Sequence, residues 1–435
     1  CNIMEKNKLK QLIIEHKERF LAPADLARRE CQKIIKPYLR QKEIIVISGV
    51  RRAGKSSLMK LICRDILEEQ NVPADNVLYL NFEDERFIEF THKDFELLHE
   101  TFMELYQPQG RQYFFLDEIQ TIKGWGRWVN RIYEFENIKI FITGSNASLL
   151  APEIATALTG RNRQITVYPF SFSEFLSFKN YEVDAKGLYL REEKVRLKNL
   201  FRQYVESGGF PEVIKNNDAT LLEQYFKDII YRDVIARYAI RNIREIRELA
   251  LFLASNIGTI KSYQNLKELI HVKSLNTVKN YLEVLENVYL FFRLDLFDYS
   301  VKRQIYNPSK IYAIDTALSS SIAFKFSQNL GHIYENITFI ELLRRGHEMF
   351  YWKSKGSKEV DFLIKKGLKI DRAIQVSSDL TKSKTRQREI EGLLNAAEEF
   401  NIKNLTIITE DEEGKENIGK LNIGIIPIWK WLVVP

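Results

Sequence analysis

Short, continuous apolar runs alternate with longer amphipathic segments over residues 1–170. The first run is Ile44–Ile47, and apolar side chains then recur at helical spacing at Leu58, Leu61, Ile62 and Ile66. Four further runs follow within residues 77–82, 113–116, 138–143 and 164–168. An uninterrupted apolar run is expected of a strand buried on both faces. Alternation of such runs with helices predicts a three-layer α/β domain with a largely parallel sheet.

A glycine-containing loop joins the first predicted strand to the helix after it, and Gly49–Ser56 match G-x-x-x-x-G-K-[ST]. Glycines let successive backbone N–H groups face an anion, and the helix N-terminus adds partial positive charge. We expect Lys55 to reach the β- and γ-phosphates of a nucleotide and the Ser56 hydroxyl to ligate Mg²⁺. The candidate nucleotide-binding residues of this loop are Gly49, Val50, Arg51, Arg52, Ala53, Gly54, Lys55, Ser56 and Ser57.

A second motif ends the third predicted strand, where the apolar run Tyr113–Leu116 is followed by Asp117 and Glu118. Asp117 is expected to hold Mg²⁺ through its water shell. Glu118, one residue further along, is expected to orient and deprotonate the attacking water. An extra strand separates this motif from the phosphate loop, and that spacing favours the ATPase branch that keeps a catalytic glutamate here.

Polar residues also follow the fourth predicted strand, at Thr143, Ser145 and Asn146. They are placed to sense a γ-phosphate or to position water, and the sequence does not separate the three; Ser145 is taken as the representative candidate. Ligands of parallel α/β sheets lie at the carboxyl ends of the strands, so these residues, Asp117 and Glu118 are expected to converge on the phosphate loop.

Three arginines have two interpretations each. Arg51 and Arg52 either touch phosphate or a partner subunit, or are solvated loop residues. Arg161, just before the fifth predicted strand, is a candidate catalytic finger on the transferring phosphoryl group, within its own chain or in a neighbour. Its alternative role is to fasten a surface loop.

Composition narrows the class of protein without identifying a partner. The 435 residues are 45% hydrophobic and 28% charged, which is typical of a globular protein of about three domains. The net charge of +7 and pI near 8.9 permit nucleic acid as a partner without requiring it. No apolar stretch approaches the length of a transmembrane helix, and the N-terminal residues lack an apolar signal core, so we expect a cytoplasmic protein.

These motifs, together with FITGSN, LTGR, YPFSFSEFL, GGFPEVI and EVDFLI, resemble those of prokaryotic AAA+-type ATPases that carry a C-terminal domain of unknown function. That family is related to the regulatory STAND NTPases. The resemblance runs from about residue 25 to the C-terminus. It implies binding of ATP or ADP with Mg²⁺, hydrolysis, and a signalling or motor-like switch, but no particular substrate.

The C-terminal segment also resembles the PD-(D/E)xK nuclease fold, with a helix beginning at Glu335 and Asp361 in a strand. Gln375 stands where that fold has its second acid, and Ser377 where it has its lysine. Both departures remove charges that metal-assisted cleavage needs, so the domain is expected to be inactive. Glu335 and Asp361 remain metal candidates, and Lys382 or Lys384 is a candidate substitute for the missing lysine.

The predicted domains are a helical lead-in (1–40), a P-loop ATPase core (41–170), a helical lid (171–242), a winged helix (243–315) and a nuclease-like α/β domain (316–435). The leading hypothesis is a Mg²⁺-dependent ATPase that acts as a regulatory switch controlling the display of its C-terminal domains. The alternatives are an ATP-gated DNA-binding protein or nuclease, and a nucleotide-held interaction module with negligible turnover. DNA through the winged helix and an unknown protein are the candidate partners.

Overall fold

The structure is a computed structural model that describes residues 4–146, 158–184, 188, 190–323, 329–354, 356 and 358–434. The chain divides into two compact units, Cys1–Tyr168 and Pro169–Pro435. Within the described residues, every helix is either too short or too polar to cross a bilayer.

The first unit contains a five-stranded parallel sheet, in the order β2-β3-β4-β1-β5. Its strands are β1 (Ile44–Ser48), β2 (Val77–Asn81), β3 (Gln112–Asp117), β4 (Ile138–Gly144) and β5 (Asn162–Thr166). The α-helices around it are Lys6–Leu21, Cys31–Ile35, Lys55–Glu69, Phe95–Tyr106 and Trp125–Phe135, and the 3-10 turns are Lys36–Tyr38, Ala74–Asn76, Glu85–Phe87 and Ile119–Thr121.

Both faces of the sheet are covered at β1, β3 and β4, because neighbouring side chains along a strand point to opposite faces and every residue of these strands is buried. On β1, Ile44 and Val46 belong to one core with the helices Lys6–Leu21 and Phe95–Tyr106, while Ile45 is equally buried on the other face. The predicted α/β class with a parallel sheet is therefore confirmed.

The second unit begins with helices. They are Phe172–Phe178, Arg191–Ser207, Pro211–Asn216 and Thr220–Asp228, followed by a π-helix at Ile229–Ala236. Ser171 caps the first of them in a reciprocal box with Glu174.

A three-stranded antiparallel sheet follows, in the order β6-β8-β7. Its strands are β6 (Ile260–Lys261), β7 (Phe291–Leu294) and β8 (Ser309–Ala313). The accompanying helices are Ile243–Ser255, Tyr263–Leu269, Leu275–Asn287 and Val301–Tyr306. All five residues of β8 are buried, including the charged Lys310.

A six-stranded mixed sheet completes the second unit, in the order β13-β14-β12-β11-β10-β9. Its strands are β9 (Glu348–Lys353), β10 (Glu359–Lys366), β11 (Lys369–Ser377), β12 (Asn404–Thr409), β13 (Gly414–Ile418) and β14 (Leu421–Pro427). The helices of this part are Thr316–Ile322, Leu330–Arg344, Ser383–Phe400 and Ile428–Trp431. This is an additional C-terminal sheet domain, and the finer domain boundaries stay predictions.

Candidate nucleotide-binding site

The phosphate loop lies at the carboxyl end of β1 and opens the helix Lys55–Glu69. Gly49 has φ +143°, and a Cβ built there would lie 2.1 Å from the carbonyl oxygen of Val167, so only glycine fits against that neighbouring segment. Gly54 has φ +92° and Arg52 has φ +69°, so the loop curls through left-handed conformations. Such a curl turns successive N–H groups toward one point and forms a nest for an anion.

Lys55 is the first residue of that helix, and its side chain is buried. Its ammonium group donates to the carbonyl oxygens of Gly49 at 3.1 Å and Val50 at 3.3 Å. It also lies 3.6 Å from a carboxylate oxygen of Glu118. The lysine and the catalytic glutamate predicted from separate motifs are therefore neighbours.

Asp117 ends β3 and is almost wholly buried. Its carboxylate accepts hydrogen bonds from the hydroxyls of Tyr79 at 2.9 Å, of Thr143 and of Ser56. Burial and the nearby charge of Glu118 raise the pKa of Asp117, and the three hydroxyl donors oppose that rise. The contact between Ser56 and Asp117 brings together the two residues predicted to hold Mg²⁺.

Glu118 adopts a left-handed conformation, with φ +53°. Its backbone N–H donates to the Thr143 hydroxyl at 2.9 Å. Its carboxylate accepts from the side-chain amide of Gln120 and from the backbone N–H of Ser145 at 3.2 Å. Ser145 thus lies within reach of the site through its main chain. Residues 147–157 lie outside the described part of the chain.

The other predicted loop residues divide by exposure. Val50 and Ala53 are fully buried, so only their main chains can face a ligand. Arg51 pairs with Glu83 at 2.8 Å, at the end of β2, whereas Arg52 is exposed. Ser57 is the third residue of the helix and is partly exposed.

Arg161 lies at the amino-terminal end of the strands, whereas the phosphate loop follows the carboxyl end of β1. Its carbonyl accepts from Ile44, the first residue of β1, so the length of β1, about 16 Å at about 3.3 Å per residue, separates it from the loop. Its guanidinium bonds Asn130 and pairs with Glu134 at 2.6 Å. An arginine side chain is shorter than that distance, which argues against action on the phosphate loop of its own chain. Action on a neighbouring chain stays a prediction.

Sequence reasoning did not single out two residues that contact the candidate site, Arg29 and Gln120. Arg29 is buried and donates to the carbonyl oxygens of Ala53 at 2.8 Å and Tyr168 at 2.7 Å, which fastens the phosphate loop to the segment after β5. Gln120 bonds the carboxylate of Glu118. No motif marks Arg29, whereas the position of Gln120 two residues after Glu118 could have suggested its role.

In the second unit, β10 and the helix Leu330–Arg344 bring Asp361 and Glu335 to one cleft. Gln375 lies there as well and accepts the backbone N–H of Asp361 at 3.1 Å. Lys382 is 78% exposed and Lys384 is exposed too. Neither is the lysine that meets these acids; that residue is Lys310 of β8, which the sequence did not suggest.

Gly208 begins the family motif GGFPEVI, and the structure gives it a packing role. It has φ +70°, and a Cβ there would lie 2.4 Å from a carboxylate oxygen of Asp315. That carboxylate accepts the N–H of Gly209 at 2.8 Å and caps the helix Thr316–Ile322.

The residues of the first unit fit a Mg²⁺-bound nucleotide. A loop of convergent N–H groups opens a helix, a lysine lies beside it, and a serine contacts a buried aspartate at the end of β3. This geometry defines a P-loop NTPase domain. A family model described as "AAA domain" matches residues 41–176, and two domains of unknown function, DUF8612 and DUF4143, match residues 198–329 and 330–431.

Related chains extend over nearly the whole length. The protein is 38% identical over 407 residues to the uncharacterized protein MJ1544 of Methanocaldococcus jannaschii, covering 89% of this chain and 88% of the relative. It is 34% identical over 398 residues to an uncharacterized protein of Haemophilus influenzae, covering 90% and 94%. The chain belongs to this family of AAA-domain proteins.

Solved structures with a similar fold are more distant. The Orc1 protein of Aeropyrum pernix, in complex with DNA, aligns with 76% of this chain and 97% of its own at 14% identity and a TM-score of 0.29. The RuvB Holliday junction branch migration motor of Thermotoga maritima aligns with 63% and 93% at 13% identity and a TM-score of 0.33. Similarity this distant carries no argument about activity.

Proposed function

We propose that the chain binds ATP with Mg²⁺ at the phosphate loop, hydrolyses it, and uses this cycle as a regulatory switch that controls how its C-terminal domains are displayed. One observation carries the proposal. Lys55, which opens the helix after the phosphate loop, lies 3.6 Å from Glu118, which follows β3, although the two come from separate motifs. Asp117 precedes Glu118 and contacts Ser56.

Nucleotide binding would use groups that this loop already orients. The N–H groups of the curl and the N-terminus of the helix Lys55–Glu69 attract phosphate oxygens. The Lys55 ammonium now donates to two neutral carbonyl oxygens of the loop. A phosphate oxygen carries negative charge and is a stronger acceptor, so these bonds exchange readily for phosphate contacts.

Ser56 and Asp117 are the residues that would hold Mg²⁺, Ser56 directly and Asp117 through water. Mg²⁺ held there would neutralise part of the negative charge of the phosphates. Asp117 is kept in place for this role by the hydroxyls of Tyr79 and Thr143.

Glu118 would take a proton from the attacking water. Its carboxylate is now shared among the Lys55 ammonium, the Gln120 amide and the Ser145 N–H. Because a triphosphate competes with Glu118 for the same ammonium, ATP binding is expected to free the carboxylate as a base. Gln120 and Ser145 then act as positioning residues that set its direction.

Phosphate release by the full chain tests this proposal in the wild type, Lys55→Ala and Glu118→Gln. We expect both variants to lose turnover by roughly 100-fold or more. Lys60→Ala is the matched control, because Lys60 lies on the same helix and donates to the Arg19 carbonyl oxygen at 2.8 Å. Unchanged turnover in either active-site variant contradicts the mechanism.

A second candidate function is DNA binding through a winged helix at residues 243–315. It is favoured by Lys279, which lies over the rings of Tyr263 at 5.1 Å and Tyr306 at 5.4 Å, with Tyr306 itself 67% exposed. Basic and aromatic groups together suit nucleic acid. Anisotropy of a labelled duplex, measured across a salt series for the wild type and Lys279→Ala, tests it: salt-independent or unchanged binding would contradict this role.

A third possibility is a nucleotide-held interaction module that turns over very slowly. The contacts of Gln120 and Ser145 with Glu118 favour it, because they keep the base engaged. ATP or ADP retained through purification, with negligible phosphate release, would support this function over the switch. An unidentified protein would then be the partner.

A further inference from the structure

The second unit contains an acidic centre built from two different sheets and a helix. Glu335 lies on the helix Leu330–Arg344, and Glu359 and Asp361 lie on β10. Lys310 extends into the centre from β8, and its side chain is 3% exposed. The centre forms the floor of a cleft of about 730 Å³.

The Lys310 ammonium contacts all three carboxylates. The distances from its nitrogen to carboxylate oxygens are 2.7 Å for Glu335, 2.7 Å for Glu359 and 2.8 Å for Asp361. An ammonium group has three N–H donors, and here each has a charged acceptor at ideal distance. The lysine therefore has no donor left for a phosphodiester.

Other groups also contact these carboxylates. The second oxygen of Glu335 lies 3.5 Å from Nδ1 of His332, and the second oxygen of Glu359 lies 3.3 Å from the Lys353 ammonium. The Glu335 oxygen that faces Lys310 accepts the Tyr312 hydroxyl at 2.6 Å as well. The second Asp361 oxygen accepts the backbone N–H of Val376 at 2.9 Å. Gln375 accepts from Asp361 and donates its side-chain amide to Glu389. These contacts fix the carboxylates around a cation that is already present.

The distances from the central nitrogen of Lys310 to the carboxylate oxygens are those of hydrogen bonds and not of metal–oxygen bonds. Bonds from carboxylate oxygen to Mg²⁺ are about 2.0 to 2.1 Å and to Ca²⁺ about 2.3 to 2.6 Å, all shorter than the distances to Lys310. Within the part of the chain that the structure describes, no three His, Cys, Asp or Glu side chains are grouped as a metal ion would require.

We propose that the ammonium of Lys310 is the resident cation of this acidic centre, in place of a divalent metal. The centre is a lock that joins β8 of the three-stranded sheet to β10 of the six-stranded sheet. This arrangement explains why Gln375 can stand where the nuclease fold has its second acid and Ser377 where it has its lysine. A centre that already contains the ammonium of Lys310 needs no second acid to hold a metal. The cleft is thus a non-catalytic surface, because the ammonium of Lys310 offsets the negative charge of the carboxylates on its floor.

The test compares cation binding by full-length chains that all carry Asp117→Asn, which removes the acid predicted to hold Mg²⁺ in the first unit. Titration with CaCl₂ and with MnCl₂, without nucleotide, is followed by calorimetry and by thermal unfolding. In chains that keep Lys310, we expect Ca²⁺ and Mn²⁺ not to bind at Asp361. Asp361→Asn should therefore change neither the measured cation binding nor the effect of the cation on the unfolding temperature.

Lys310→Ala opens space for another cation beside three carboxylates. We expect a lower unfolding temperature, and Ca²⁺ at millimolar concentration should restore at least about 3 °C of it through mass action. Lys382→Ala is the matched control: it removes a lysine from the rim of the same cleft, 4.0 Å from Asp379, and should show neither effect.

Two results would overturn the proposal. One is Mn²⁺ or Ca²⁺ binding by the chain that retains Lys310, lost in Asp361→Asn. The other is Mn²⁺-dependent plasmid cleavage that Asp361→Asn abolishes, which would make Lys310 a relocated nuclease lysine. If Lys310→Ala does not fold, these two measurements still decide, since both use folded chains that keep the lysine.

Discussion

Each of the two units contains a buried lysine with at least one carboxylate nearby. The two lysines differ in the acceptors that surround the ammonium group. In the first unit, Lys55 has two carbonyl oxygens at 3.1 and 3.3 Å and one carboxylate at 3.6 Å. In the second, Lys310 has three carboxylates at 2.8 Å or less. The first ammonium is loosely held and available to a ligand, whereas the second is saturated by its own chain.

The local chain explains this difference. Lys55 follows a left-handed glycine and opens a helix, so its surroundings contain N–H groups that need an anion. Lys310 is the second residue of a strand whose five residues are all buried, where an unpaired ammonium would be very costly. A lysine with acids nearby is therefore a ligand site in one setting and a structural ion pair in the other.

The largest expected effect is on the rate of phosphate release, which should depend on Glu118 in the first unit and not on Asp361 in the second. Glu118→Gln should lower phosphate release by roughly 100-fold or more, because it removes the carboxylate that we propose as the general base. Asp361→Asn, an equally conservative change in the second unit, should leave turnover within about twofold, since it removes no group of the phosphate site. If Asp361→Asn lowers turnover as much as Glu118→Gln does, the two centres are not independent.

Stability should show the opposite order. Lys310→Ala removes the ammonium that pairs with the buried carboxylates of Glu335 and Asp361. Breaking a buried ion pair in this way costs about 3 to 5 kcal/mol. Lys55→Ala should change the free energy of unfolding by no more than about 1 kcal/mol, because it removes loose contacts with loop carbonyls. Urea unfolding of both full-length variants measures the difference, and equal losses would contradict the distinction between lock and ligand site.

The shape of the phosphate loop can be tested apart from its lysine. Gly49→Ala places a Cβ 2.1 Å from the Val167 carbonyl oxygen, so we expect a loss of stability of about 3 kcal/mol together with weaker nucleotide binding. Gly160→Ala is the control: its φ is +72°, but nothing lies within 4 Å of the added Cβ. It should cost only the backbone strain of about 1 to 2 kcal/mol.

The smallest effect concerns Lys139 of β4, a third buried lysine, which donates to the Glu43 carbonyl oxygen and has no carboxylate bond. Burial, aided by the charge of Arg111, lowers the pKa of Lys139 to about 7, whereas the pKa of Lys310 is raised despite its burial because carboxylates surround it.

Between about pH 7 and the ordinary lysine pKa of 10.5, the unfolded chain keeps a proton on Lys139 that the folded chain has lost. Stability should therefore rise with pH over this window. Lys139→Met should flatten that rise by on the order of 1 kcal/mol between pH 7 and 8, which urea unfolding at several pH values would detect. A variant that keeps the wild-type slope would show that Lys139 stays protonated.

The sequence was informative wherever the residues of a motif or an element are consecutive in the chain. The phosphate loop, the acids after β3 and the five strands were all predicted, because a P-loop and a buried strand each depend on short local patterns. Arg161 illustrates what local patterns leave open. Its position before β5 was evident from the sequence, but only the parallel pairing of β5 with β1 placed it at the end of the strands away from the loop.

By itself, the sequence determined the α/β class, the phosphate loop and the acidic pair, since hydrophobic periodicity and contiguous motifs act locally. Only the tertiary structure decided that Lys310 meets Glu335, 25 residues away, and Asp361, 51 residues away. It also decided that Arg29 fastens the loop to Tyr168 across 139 residues. Such contacts depend on how strands and helices pack, and no local pattern records which distant charge a buried side chain will meet.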